Sequence, residues 1–122
     1  MGGSQSLEGR RVLVVEDEML VSMLVEDMLG DLGCVVIGPA ATLEEALVLA
    51  RDAEIDIALL DVNLAGKAIY PVADILKERG VPYIFASGYG DSNTDGPHQA
   101  APSLQKPFRM GDLEKALRAL AG

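Results

Sequence analysis

Short, consecutive apolar runs rich in β-branched residues alternate with longer stretches whose apolar positions follow a helical period. Such alternation predicts βαβ units around a parallel sheet. Arg11–Val15 is apolar at successive positions, as a strand covered on both faces would be. From Met19 to Leu32, the residues Leu20, Leu24, Met28 and Leu32 recur on one stripe, which Val21, Val25 and Leu29 widen. Gly33 predicts the end of that helix. Cys34–Gly38 reads as a second strand closed by Gly38-Pro39. Thr42 followed by Glu45 reads as a capping box, opening a helix to about Ala53 with Leu43, Leu47 and Ala50 inward. Ile55–Leu60 is the third strand and ends at Asp61; a loop with Gly66 follows.

Pro71 suits the first turn of a third helix, which carries Val72, Ile75 and Leu76 and stops at Gly80. Val81–Ser87 is the fourth strand, with Pro82 at its very start. Gly88–Ala101 is polar and broken by Gly96-Pro97, so at most one or two helical turns are expected near Pro97–Ala101. Ser103–Gln105 is a short last strand, and Arg109–Ala121 a final helix striped by Leu113, Ala116, Leu117 and Leu120. Right-handed crossovers leave few topologies for such a chain. A common one orders the strands 2-1-3-4-5, with the ligand crevice between strands 1 and 3.

The length of 122 residues fits one domain, and 49% hydrophobic content supplies a core and excludes a wholly disordered chain. Ten Lys+Arg against 19 Asp+Glu leave a net charge of −9. That balance disfavours non-specific nucleic-acid binding and docking on an anionic membrane. One Cys forms neither an internal disulfide nor a Cys-rich metal site. No apolar run approaches the roughly 18 residues of a membrane span. The start, Met1 to Ser6, lacks a basic region followed by an apolar one and so does not read as a signal peptide. Residues 1–9 are expected to be a disordered N-terminal segment, residues 10–122 the domain, and the location cytoplasmic.

The polar residues gain meaning on this frame. Glu16 and Asp17 end strand 1, Asp61 ends strand 3, Ser87 ends strand 4 and Lys106 follows strand 5. In this topology those ends open at one edge of the sheet. Clustered carboxylates repel one another, and a hard dication relieves the repulsion. An oxygen-only set favours Mg²⁺, Mn²⁺ or Ca²⁺ over zinc. A dication with a lysine, a hydroxyl and a nucleophilic carboxylate is equipment for phosphoryl transfer.

Val14-Val15-Glu16-Asp17-Glu18, Leu59-Leu60-Asp61, Phe85-Ala86-Ser87-Gly88 and Lys106-Pro107-Phe108 resemble, in order and position, the motifs of a response-regulator receiver domain of two-component signalling. Each motif alone is weak; the set covers nearly the whole chain, from about Arg11 to Gly122. The resemblance implies a flavodoxin-like three-layer sandwich, in which the receiver occupies residues 10–122. It implies Asp61 as phosphoacceptor and Mg²⁺ as cofactor. Asp17 would bind the metal directly, Glu16 directly or through water, and Asn63 through its backbone carbonyl. Ser87 and Lys106 would hold the phosphoryl group. It also implies a phosphohistidine donor on a sensor histidine kinase or phosphotransfer protein, a possible downstream regulator protein, and a monomer or weak dimer. On this reading the chain is not an enzyme beyond its own phosphorylation and dephosphorylation. The family often has a cis peptide where Lys106-Pro107 stands.

Two departures stand out. Ser103 occupies the position where the family often carries a switching Tyr or Phe. Phe85-Ala86-Ser87-Gly88-Tyr89 instead resembles the Phe-Ala-Thr-Gly-aromatic motif of stand-alone receivers common in α-proteobacteria, with Tyr89 a candidate gate for partner access. No output domain follows in this sequence. Two other classes compete. An aspartyl-nucleophile phosphohydrolase would want an acid where Asn63 stands, and a phosphate-independent interaction module would not need the intact set. Cys34 and the methionines, including Met23 and Met28, read as core filler, and His98 as a solvated loop residue.

Overall fold

The computed structural model describes residues 7–64, 66–87, 102–106 and 108–121. Five parallel strands form its sheet: β1 (Arg11–Val15), β2 (Val35–Ala40), β3 (Ile57–Asp61), β6 (Tyr83–Ser87) and β7 (Ser103–Gln105). Their order, β2-β1-β3-β6-β7, is the expected 2-1-3-4-5 once a small antiparallel hairpin is set aside. That hairpin, β4 (Asn63–Leu64) and β5 (Lys67–Ala68), turns at Gly66 with φ +84°, where a plain loop was expected. Four helices are described: α1 (Met19–Asp31), α2 (Leu43–Asp52), α3 (Tyr70–Arg79) and α4 (Met110–Ala121).

Side chains alternate across a strand, so each strand feeds two cores. Leu13, Val15, Ala58, Leu60 and Phe85 face Ala46 and Ala50 of α2 and Val72, Ala73 and Leu76 of α3. Val12, Val14, Ile57, Leu59 and Ile84 face Val25 and Leu29 of α1 and Leu113 and Leu117 of α4. Coverage on both faces is why β1 and β3 read as unbroken apolar runs. The Thr42–Glu45 capping box forms as expected.

Three further expectations are corrected. The first concerns α1. Its inward stripe is Val21, Val25, Met28, Leu29 and Leu32, whereas Leu20 is 83% and Leu24 53% exposed. Met19 to Val25 is apolar nearly all round, so periodicity alone could not choose the buried face. Ser22 shares that buried face by donating its hydroxyl to the Met19 carbonyl at 3.0 Å. Met23 is likewise exposed rather than core filler.

The second concerns β2, which continues through Gly38-Pro39 to Ala40 instead of closing there. The bond is cis, and Gly38 has φ +98° with no room for a Cβ, which would sit 2.8 Å from the Ala40 nitrogen. An edge strand tolerates the proline. The third concerns the N-terminus. Leu7 is buried in the second core, and Gly9 donates its N–H to the Gly33 carbonyl at 2.8 Å. Leu7 and Gly9 are therefore held to the domain, within a stretch expected to be disordered. The polar stretch 88–101, with Tyr89 and His98, and the Lys106-Pro107 bond lie outside the described residues. No helix among the described residues is long and apolar enough to cross a membrane.

Candidate functional site

The sheet register brings the candidate residues to one edge. Val15 pairs with Leu60, Asp61 with Ala86, and Ser87 with Gln105. The C-terminal ends of β1, β3, β6 and β7 therefore lie side by side, as an open α/β sheet requires of a ligand site. Glu16 and Asp17 leave β1, and the Glu16 N–H donates to the Ala40 carbonyl at 3.0 Å. Asp61 ends β3 and is 4% exposed. The Val62 N–H, donating to the Ala86 carbonyl at 2.9 Å, fixes the chain just past it. Ser87 ends β6, and its carbonyl accepts the Lys106 N–H at 2.8 Å. Lys106 is thus positioned by the β6–β7 ladder continuing one bond beyond its last strand residue.

The Lys106 ammonium sits 2.7 Å from Glu16 Oε1 and 3.2 Å from Asp61 Oδ2. Glu16 Oε2 accepts the N–H of Glu18, the residue that opens α1, at 3.1 Å. One carboxylate oxygen each from Glu16, Asp17 and Asp61 lies within 4.8 Å of the other two. Glu16 and Asp61 are buried and Asp17 is exposed, so the cluster is open on the Asp17 side. Burial works against the Lys106 charge, but the Glu16 hydrogen bond and the Asp61 charge outweigh it and hold the ammonium above the ordinary lysine range.

This donor set fits a hard dication. All three groups offer oxygen, and one ammonium leaves their summed charge only partly offset. Asp17 and Asp61, with Glu16 beside them, are the residues that would hold Mg²⁺. Asn63 opens β4 two residues past Asp61, its backbone bound into the hairpin with Ala68. Ser103 stands in β7 as an exposed residue. The structure thus brings together Glu16, Asp17, Asp61 and Lys106 and joins Ser87 to them through its backbone. Tyr89 lies outside the described residues. Sequence reasoning assigned Glu16 to the metal and Lys106 to the phosphoryl group, and it missed the short contact between them.

The model of the response regulator receiver domain matches residues 12–118. The chain belongs to the response regulator receiver domain family. This receiver is similar to SdrG of Sphingomonas melonis Fr1, whose solution structure shares 42% identity at a TM-score of 0.83, covering 93% of this chain and 98% of that one. A solution structure described as the BeF3-activated conformation of SdrG matches at 0.77, with the same 42% identity, over 92% of this chain and 96% of that one. The crystal structure of the response regulator PhyR from Brucella abortus shares 31% identity at a TM-score of 0.77, covering 98% of this chain and 51% of that one. The phyllosphere-induced regulator PhyR of Methylorubrum extorquens is 32% identical over 110 residues, 87% of this chain and 41% of its own length. The receiver spans about half the length of the curated relatives it matches.

Proposed function

We propose that this receiver accepts a phosphoryl group onto Asp61 from a phosphohistidine of a sensor kinase or phosphotransfer protein, and signals through the protein that recognises the phosphorylated form. The single observation carrying this reading is the buried Asp61 carboxylate held 3.2 Å from the Lys106 ammonium inside an all-oxygen acidic cluster. In the reaction an Asp61 oxygen attacks phosphorus, the P–N bond breaks, and the imidazole nitrogen keeps the electron pair. Mg²⁺, when bound, supplies neutralisation of charge on the phosphoryl oxygens. Lys106 supplies a further positive charge beside Asp61, and Ser87, which ends β6, would donate its hydroxyl to the phosphoryl group. The sheet scaffold holds these groups before the donor arrives, so little reorganisation is required.

The description of SdrG in a BeF3-activated conformation supports the same chemistry here, because beryllofluoride stands in for a phosphoryl group. The reading places the protein in the cytoplasm, with no activity beyond its own phosphorylation and dephosphorylation. The test is the intact mass after incubation with Mg²⁺ and phosphoramidate. Wild type should gain one phosphoryl group and Asp61→Asn none; equal gain by both would refute the assignment.

A further inference from the structure

Glu16 is bound at three points, and only one of them faces the site. Its N–H donates to the Ala40 carbonyl at 3.0 Å, its Oε2 accepts the Glu18 N–H at 3.1 Å, and its Oε1 accepts from Lys106 Nζ at 2.7 Å. The side chain is 5% exposed, so water competes little for either oxygen. Lys106 differs in kind. Its backbone is fixed by the bond to Ser87, but its ammonium rides on a flexible four-carbon stem. A charge on such a stem is useful to an arriving phosphoryl group only if its place is set beforehand.

We propose that Glu16 is the positioning residue for Lys106, holding the ammonium beside Asp61 before a phosphoryl group is present. The 2.7 Å contact to Glu16 against 3.2 Å to Asp61 makes Glu16 the closer anchor. This arrangement does two things. It keeps the ammonium within reach of whatever is attached to Asp61. It also divides the ammonium between two carboxylates, so that Asp61 is not its sole partner. The inference rests on the phosphoacceptor reading for its purpose, but its geometry does not depend on it.

The first experiment is done without Mg²⁺ or phosphodonor, on the ¹⁵N signal of the Lys106 ammonium by NMR. A buried, hydrogen-bonded ammonium exchanges slowly enough to be seen. The signal should persist in Asp61→Asn, which keeps the closer anchor, and vanish or shift to the position of a solvated lysine in Glu16→Gln. The reverse order overturns the proposal. If Glu16→Gln does not fold, hydrogen-bond coupling from Lys106 Nζ in the wild type decides. It should reach the Glu16 carboxyl carbon, and coupling to Asp61 alone overturns the proposal.

The second experiment is a double-mutant cycle on the phosphoramidate reaction at saturating Mg²⁺, with Glu16→Gln and Lys106→Met. If Glu16 acts through Lys106, the double variant reacts within about twofold of Lys106→Met alone. Rate losses that multiply in the double variant overturn the proposal. A wild type that takes up no phosphoryl group would refute the phosphoacceptor reading instead and leave the spectroscopic result standing.

Discussion

Lys106 lies closer to Glu16 than to Asp61, at 2.7 Å against 3.2 Å, so the ammonium of the site is anchored on the carboxylate that follows β1 and shared with that of β3. One positive charge thereby serves two buried negative ones. The charge balance of the site, and several consequences for stability and binding, follow from that sharing.

Removing the ammonium takes away the positive charge that the buried Glu16 and Asp61 carboxylates share. Loss of one member of a buried pair is strongly destabilising, and the partial exposure of Lys106 reduces the cost here. Lys106→Met should lower the unfolding free energy by about 2 kcal/mol. Asp61→Asn removes a repelling carboxylate and should be neutral or stabilising. Urea denaturation of the two variants checks both signs, and Mg²⁺ should restore more stability to Lys106→Met than it adds to wild type.

The buried face of α1 has a sharp consequence. Leu29 is fully buried and Leu24 is 53% exposed. Leu29→Ala should cost about 3 kcal/mol. Leu24→Ala should stay within about 0.5 kcal/mol. Chemical denaturation of the pair tests which stripe of the helix faces the sheet.

At the start of α2, Thr42 Oγ1 accepts the Glu45 N–H at 3.2 Å while Glu45 Oε1 accepts the N–H groups of Ala41 and Thr42 at 3.0 and 3.3 Å. Thr42→Ala should cost about 1 kcal/mol, again read from urea unfolding. Thr42→Ser, which keeps the acceptor, should recover most of it.

Cys34 is half-buried, with its thiol 3.5 Å from the Leu7 carbonyl. Burial pushes the thiol pKa up, and Arg10 and Arg118 only partly oppose it. The folded state therefore holds its proton to higher pH than the unfolded chain. The stability this gives is complete below the unfolded thiol pKa and is lost as pH rises through the folded one. Iodoacetamide alkylation followed against pH should show a midpoint above that of the same thiol in urea.

The sheet was legible in the sequence because β1, β3 and β6 are covered on both faces and so carry unbroken apolar runs bounded by turn residues. Part of the site was legible for the same reason: Glu16, Asp61 and Ser87 are the first polar positions at the ends of those runs, whereas Lys106 follows the short, largely polar β7. The face of α1 was not, because Met19, Leu20, Met23 and Leu24 are as apolar as the residues that are buried. The passage of β2 through Pro39 was hidden because Gly-Pro ordinarily signals a turn, and only an edge position permits the strand to continue. The packing of Leu7 depends on the second core, which includes Leu29, Leu113 and Leu117, and Gly9 is held by the Gly33 carbonyl, partners distant in sequence. The Glu16–Lys106 contact was missed because three neighbouring carboxylates leave the lysine's choice to geometry.

The central claim is that Asp61 is the residue that becomes phosphorylated, and borohydride trapping tests it most directly. An acyl phosphate on aspartate is reduced to homoserine, which peptide mass mapping locates to a single position. After treatment with Mg²⁺ and phosphoramidate, the peptide spanning β3 should carry homoserine at position 61. Homoserine at another aspartate, or none in a protein whose intact mass shows a phosphoryl group, would contradict the account.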